Sequence, residues 1–170
     1  MYAQHARFAK VIRHFYDADL RFVVIGGVAM GLHGSDHLTN DADFAYAVDP
    51  ENLVKLAAFL PTIHARVSGR PANDHFVITP QTLEKVKFLN LYTDLGEVDV
   101  MRQIAGVDSF EGLWERAVPT DLGGFVVRVA SLDDLIAMKR AANRPKDQMH
   151  VLELLALRKL IAAGEGAENQ

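Results

Sequence analysis

The chain has 170 residues, 18 basic and 22 acidic, for a formal net charge of −4. Its 49% hydrophobic content and lack of cysteine provide for one core and exclude a disulfide scaffold, a thiolate nucleophile and a largely disordered chain. The acidity argues against a strongly basic nucleic-acid footprint, and no run approaches the ~20 apolar residues of a membrane span.

Helical periodicity over residues 4–19 gathers Phe8, Val11, Ile12, Phe15 and Tyr16 on one face. The start lacks the apolar stretch of a signal peptide, so a cytoplasmic, soluble protein is expected. Phe22-Val23-Val24-Ile25 reads as a buried strand that ends in Gly26-Gly27, followed by a short helix from Val28 to His33. A polar loop leads to an alternating strand over 43–48, with Asp41, Asp43, Ala45 and Ala47 on one side and Phe44, Tyr46 and Val48 on the other.

Asp49-Pro50 opens a helix, with the acid as N-cap, proline in the first turn and Leu53, Leu56 and Leu60 buried. A loop over 66–74, a short strand over 75–78 and a helical turn from Thr79-Pro80 to about Val86 follow. Two strands, 88–93 and 97–101, are joined by Asp94-Leu95-Gly96, a hairpin signal. Glu97, Asp99 and Met101 share one face of the second.

A helix over 110–117 and a strand over 125–129 come next. Ser131 caps a helix carrying Leu132, Leu135, Ile136 and Lys139, with Asp134 as an acidic capping-box partner. Pro145 starts a last helix with a broad apolar face of Val151, Leu152, Leu154, Leu155 and Leu160. The order implies an α+β fold: a small mixed or antiparallel sheet flanked by helices, with a helical C-terminal part. One domain is expected over 1–163, with a core of about 1–130, a helical segment of about 131–163 and a flexible tail at 164–170.

Asp41 and Asp43 point to the same side of an extended strand, with Cα atoms roughly 6.5–7 Å apart. Taken singly, an Asp-x-Asp pair is more often a solvated turn, and a Gly-Gly after a strand is usually a tight turn. Aspartate is depleted in strands, however, and both Asp43 and Asp99 sit in β-branched or aromatic runs. If Asp99 joins the pair from a neighbouring strand, three negative charges call for a divalent cation, most simply Mg²⁺. Together these residues outline a phosphoryl-transfer site, with Gly26 and Gly27 letting backbone amides approach phosphate oxygens.

The segment Val24-Ile25-Gly26-Gly27-Val28-Ala29-Met30, then His33-Gly34, Thr39-x-Asp41-x-Asp43 and Val98-Asp99, resembles the polymerase-β-type nucleotidyltransferase superfamily. It is most similar to small prokaryotic members that include abortive-infection toxins of type IV toxin–antitoxin systems. Leu135 to Lys139 resembles that group's lysine motif, and Arg144-Pro145-Lys146-Asp147 its last motif. The likeness spans about residues 22–157.

It implies an enzyme that moves a nucleoside monophosphate from an NTP to a hydroxyl of an RNA, such as a tRNA 3′ end, or of a protein, with a cognate toxin or antitoxin as a further partner. Asp41, Asp43 and Asp99 would hold one or two Mg²⁺ ions, for which Mn²⁺ substitutes. Lys139 would meet the triphosphate, and Asp147 would support the nucleotide or orient Lys139. Gly26, Gly27, Ser35, His37, Thr39 and Arg144 complete the expected NTP-binding set.

Two departures stand out. Val28 replaces the serine or threonine that relatives often place after the glycines, leaving phosphate to backbone amides, Ser35 or Thr39. His37, beside Asp36, stands where relatives often have an arginine; an anionic site would favour its protonated form. These changes keep open a non-catalytic binding or antitoxin module, and small antibiotic nucleotidyltransferases are a further alternative. Arg140 and Lys146 add to a basic cluster near the last helix junction, which could equally be a solvated helix end. His33 is most simply a helix residue and Trp114 most simply core.

Overall fold

The computed structural model describes residues 2–71 and 76–168, with side chains for 8–71 and 76–164. Its centre is the apolar strand β1 (Phe22–Ile25), buried along its whole length. β1 pairs antiparallel with β2 (Asp41–Tyr46) and parallel with β7 (Val126–Val129). β2 in turn pairs parallel with β5 (Gly96–Met101), which forms an antiparallel hairpin with β4 (Phe88–Thr93). Short strands β3 (Arg66–Val67) and β6 (Val118–Asp121) close the two edges, giving a seven-stranded mixed sheet ordered β3-β4-β5-β2-β1-β7-β6. The α+β expectation holds, on a wider sheet than the sequence suggested.

Alternation along β2 sorts the two faces. Ala42, Phe44 and Tyr46 are buried on the side that receives α1 (Tyr2–Asp17). There Phe15 stacks on Phe44 at 4.2 Å and meets Phe22 and Phe59 edge-on. Phe59 ends α3 (Pro50–Phe59), which Asp49 caps by accepting the Asn52 N–H at 3.0 Å. Buried Asn52 donates to the carbonyls of Arg21 and Ala47 and accepts the Arg21 N–H, joining α3 to the start of β1. The Tyr46 hydroxyl donates to the Leu83 carbonyl in α4 (Pro80–Lys85). Burying each such aromatic contributes about 1.5–3 kcal/mol.

The opposite face of β2 carries Asp41 and Asp43. Here α2 (Gly26–Leu32) leaves β1 directly, so the two glycines form the first turn of the helix rather than a loop before it. α6 (Leu132–Ala142) is capped by Ser131, whose hydroxyl accepts the Asp134 N–H at 3.1 Å. Asp134 also anchors Arg116 at the end of α5 (Phe110–Arg116) through a 2.7 Å ion pair. Asn143 ends α6 in a left-handed conformation at φ 48°, and Pro145 opens α7 (Pro145–Glu168).

Several expectations change. Residues 76–78 form no strand, and His75 lies outside the described residues. β3 was expected as loop, and β6 was missed. On α7 Leu154 is fully buried, while Leu152 and Leu160 are exposed, so the packed stripe is narrower than the apolar pattern suggested. The helix continues to Glu168, through the start of the segment expected as a tail.

Candidate active site

Register decides which carboxylates meet. In the parallel β2–β5 pair Asp43 lies opposite Asp99, and Asp41 lies opposite Glu97. Side chains paired across neighbouring strands share a face. One oxygen from each of Asp41, Asp43 and Asp99 therefore lies within 4.8 Å of the others. The convergence expected from the Asp-x-Asp spacing and the later aspartate is present in the fold.

Gly26 and Gly27 shape the ground beneath these acids. Gly26 has φ +64°, and a Cβ built there would stand 1.8 Å from Asp43 Oδ2; one on Gly27 would stand 2.6 Å from Thr39 Cβ. The Gly27 N–H donates to Asp43. Thr39 donates its hydroxyl to Asp41 Oδ1 at 2.5 Å, and Asn90 on β4 donates to Asp99 Oδ2 at 2.6 Å. Each acid thus has its own neutral donor.

The crowding has an electrostatic cost. Burial, then Asp41 and Asp99, push the Asp43 carboxyl up to about 7, with Lys139 and the Gly27 N–H opposing. Burial also raises Asp99, helped by Asp41 and Glu97 and opposed by Asn90. Three oxygen donors that cannot comfortably ionise together, with neither thiolate nor imidazole among them, fit a hard divalent cation such as Mg²⁺ or Mn²⁺.

Lys139, on the buried stripe of α6, brings its ammonium to the margin of the packed face with 13% of its side chain exposed. It is 3.7 Å from Asp147 Oδ1. Burial lowers its pKa, against the pull of Asp147 and Asp43. Asp147, fully buried on the first turn of α7, accepts from Arg144 Nε at 2.6 Å and from the Arg144 N–H at 3.1 Å. These bonds hold its carboxyl down at about 2. A cleft of about 330 Å³ joins Gly26, Asp43, Met101, Met138, Lys139 and Arg144.

The remaining expected residues lie on the other side of Gly27. Ser35 is buried, donating to Glu153 of α7 and accepting the His37 N–H at 3.0 Å, so its hydroxyl is already engaged. The His37 ring meets that of His150 on α7 at 4.3 Å. Arg140 and Lys146 are exposed beside the cluster. His33 caps the end of α2 and bonds through Nε2 to the Ala130 carbonyl, and Trp114 packs under Arg128 rather than deep in the core.

Sequence reasoning did not single out Asn90 or His150. Asn90 alternates with Phe88 and Tyr92 on an exposed strand face where asparagine is depleted, which is a readable signal. Buried His150 sits one turn beyond Asp147, with Nδ1 3.9 Å from Asp147 Oδ1.

Known proteins agree with this architecture. The solved structure of the lincosamide antibiotic adenylyltransferase LnuA, lincomycin-bound, is similar with a TM-score of 0.61 at 13% identity, over 89% of this chain and 96% of that one. ANT(2″)-Ia in complex with adenylyl-2″-tobramycin gives 0.55 at 14% identity, over 98% and 99%. An antigenic nucleotidyltransferase-like protein from Paracoccidioides brasiliensis gives 0.55 at 13% identity, over 92% and 76%. At such identities the likeness is one of fold. No curated protein sequence matches. The family described as nucleotidyl transferase of unknown function (DUF2204) matches residues 4–163. With nearly its whole length matched, the chain belongs to that nucleotidyltransferase family.

Proposed function

We propose that this nucleotidyltransferase moves a nucleoside monophosphate from an NTP to an acceptor hydroxyl, using Asp41, Asp43 and Asp99 as its metal ligands. The convergence of these three acids within 4.8 Å, with Asp43 sharing a cleft with Lys139, is the observation that carries the reading. When bound, Mg²⁺ supplies charge neutralisation for the triphosphate and a lower pKa for the acceptor hydroxyl.

The chain's own groups divide the remaining work. Gly26 and Gly27 give the triphosphate close access to backbone, while Lys139 and Arg144 offset its charge. Asp147 fixes both cations, and Thr39 orients Asp41. Ser35 and His37 brace the loop that carries Thr39. The acceptor oxygen attacks the α-phosphorus as the bond to the α–β bridging oxygen breaks, and pyrophosphate leaves with the electron pair. Asp99, on the β5 flank of the cluster, is placed to take the acceptor's proton.

The motif likeness extends this reading to an RNA or protein acceptor and to a role in a toxin–antitoxin pair. The lincosamide named for LnuA and the tobramycin adduct named for ANT(2″)-Ia supply a second reading, an antibiotic acceptor, supported by shared architecture. A non-catalytic module is the less economical account, since the intact carboxylate cluster would then serve nothing.

Purified protein with Mg²⁺, labelled NTPs and total tRNA or cell extract should label one class of acceptor. Asp41→Ala or Asp43→Ala should abolish the labelling. Wild-type labelling by both variants would remove the assigned site.

A further inference from the structure

One buried imidazole has no bond to account for its place. His150, on α7 one turn beyond Asp147, has 9% of its side chain exposed. Among the described residues its Nδ1 has no hydrogen-bond partner. A buried polar group left unpaired is costly, so a folded protein rarely keeps one without a use. Neither the metal cluster nor the phosphate-binding groups described above employ it.

The ring is held firmly. It meets that of His37 edge-on at 4.3 Å. One turn further along α7, Glu153 accepts the Ser35 hydroxyl, which fastens the loop carrying His37 to the same helix face. The ionisable groups facing His150 are Lys139 from α6, His37 from that loop, and Asp147 and Glu153 from α7. Burial, then Lys139 and His37, lower its pKa, which favours the neutral imidazole.

The two oxygens of Asp147 are unequally served. Oδ2 accepts from Arg144 Nε at 2.6 Å and from the Arg144 N–H at 3.1 Å. Oδ1 accepts a longer 3.2 Å bond from Arg144 Nη2, and a carboxylate oxygen has a second lone pair to offer. Lys139 Nζ at 3.7 Å and His150 Nδ1 at 3.9 Å both stand just outside hydrogen-bond reach of it. One acceptor position thus faces two donors. Lys139 also lines the cleft with Gly26 and Asp43, where a phosphate oxygen can draw it away. His150 lies behind that cleft, walled by His37.

We infer that His150 is a positioning residue for nucleotide binding: as Lys139 turns to the triphosphate, the neutral imidazole donates its Nδ1–H to Asp147 Oδ1 in its place. This rests on the nucleotidyl-transfer reading above. The exchange keeps both oxygens of a fully buried carboxylate hydrogen-bonded, so Arg144 stays anchored while Lys139 is released. A neutral donor suits the task, because it satisfies the oxygen without adding a third cation beside Lys139 and Arg144.

The test uses the full chain with Mg²⁺ and a non-hydrolysable analogue of each NTP. In calorimetry His150→Leu should weaken analogue binding at least about 10-fold, the low end for a hydrogen bond to a charged group. His150→Asn, whose side-chain N–H falls close to the place of Nδ1–H, should restore most of that loss. Proton NMR of the native chain should gain a slowly exchanging, downfield imidazole N–H when analogue is added, and His150→Asn should lack it. In Lys139→Ala the same resonance should be present before any nucleotide is added, because the competing ammonium is gone.

Native affinity in His150→Leu, or a resonance that is indifferent to nucleotide in the native chain, overturns this inference. The transferase reading then still stands if the native protein binds analogue and Asp43→Ala abolishes labelling. Should His150→Leu fail to fold, the resonance of the native chain decides alone. Failure of the native protein to bind any NTP analogue would overturn both readings.

Discussion

A Cβ on Gly26 would stand 1.8 Å from Oδ2 of Asp43, so backbone and carboxylate share a space that only glycine leaves open. With φ at +64° the position is also unfavourable for an L side chain. Gly26→Ala should cost about 2–3 kcal/mol of stability, combining left-handed strain with steric displacement. By moving Asp43 it should lower nucleotide transfer about 100-fold or more. Thermal melting and initial rates measured together would check both effects.

Asp43 makes the metal-free protein sensitive to pH. Its folded pKa is about 7 against an ordinary 3.8, so the folded state holds a proton that the unfolded chain releases. Stability therefore falls as pH rises between about 4 and 7. Asp43→Asn should remove that loss, stabilising the metal-free protein by about 2–4 kcal/mol at pH 8 while abolishing transfer. For the native protein, Mg²⁺ should release a proton on binding and bind more tightly up to about pH 7. Denaturation in chelator across this range, with calorimetry in two buffers, provides the measurement.

Asp147 works in the opposite sense. Arg144 holds its carboxyl at about 2, below the ordinary 3.8, so its contribution is complete above about pH 4 and lost as pH falls toward 2. Asp147→Asn should flatten this acid limb of the stability curve. By loosening Lys139 and Arg144 it should also raise the KM for NTP about 10-fold. An unchanged acid limb would show that Arg144 does not hold this carboxylate in solution.

Thr39→Val keeps the shape of the side chain and removes the 2.5 Å bond to Asp41. Groups that orient a metal ligand typically contribute 10–100-fold to metal affinity. The variant should need about 10-fold more Mg²⁺ for half-maximal rate while its melting temperature barely changes.

Tyr46→Phe tests the other face. It removes the bond to the Leu83 carbonyl and should cost about 1–2 kcal/mol. Transfer rates at permissive temperature should remain those of the native protein, because Tyr46 projects away from the acids.

How much of this was readable from residue order depends on the element. The three acids were legible because strand spacing and alternation fix which side chains share a face, the two glycines from their place after the apolar strand, and Lys139 through the motif resemblance. The capped helices were equally clear from Asp49-Pro50, Thr79-Pro80 and Ser131. β6 escaped notice because Pro119 interrupts it, as befits an edge strand, and two-residue β3 has no period to detect. Gly26-Gly27 read as the end of a strand, since the helix beginning on them has no side-chain cap. Asn90 carried a readable signal, an asparagine in a strand of the hairpin that holds Asp99, whereas the meeting of His150 with His37 joins positions too far apart in sequence for local pattern to reveal.

The parallel pairing of β2 with β5 has a kinetic consequence. Asp43 and Asp99 are brought opposite one another only after two intervening helices, an edge strand and a hairpin have found their places, a long-range closure that forms slowly. No partly folded chain offers the complete set of oxygens, so a divalent ion discriminates finished molecules from unfinished ones. Added after refolding begins, Mg²⁺ should leave the folding rate nearly untouched and slow unfolding, acting as a latch on the completed topology.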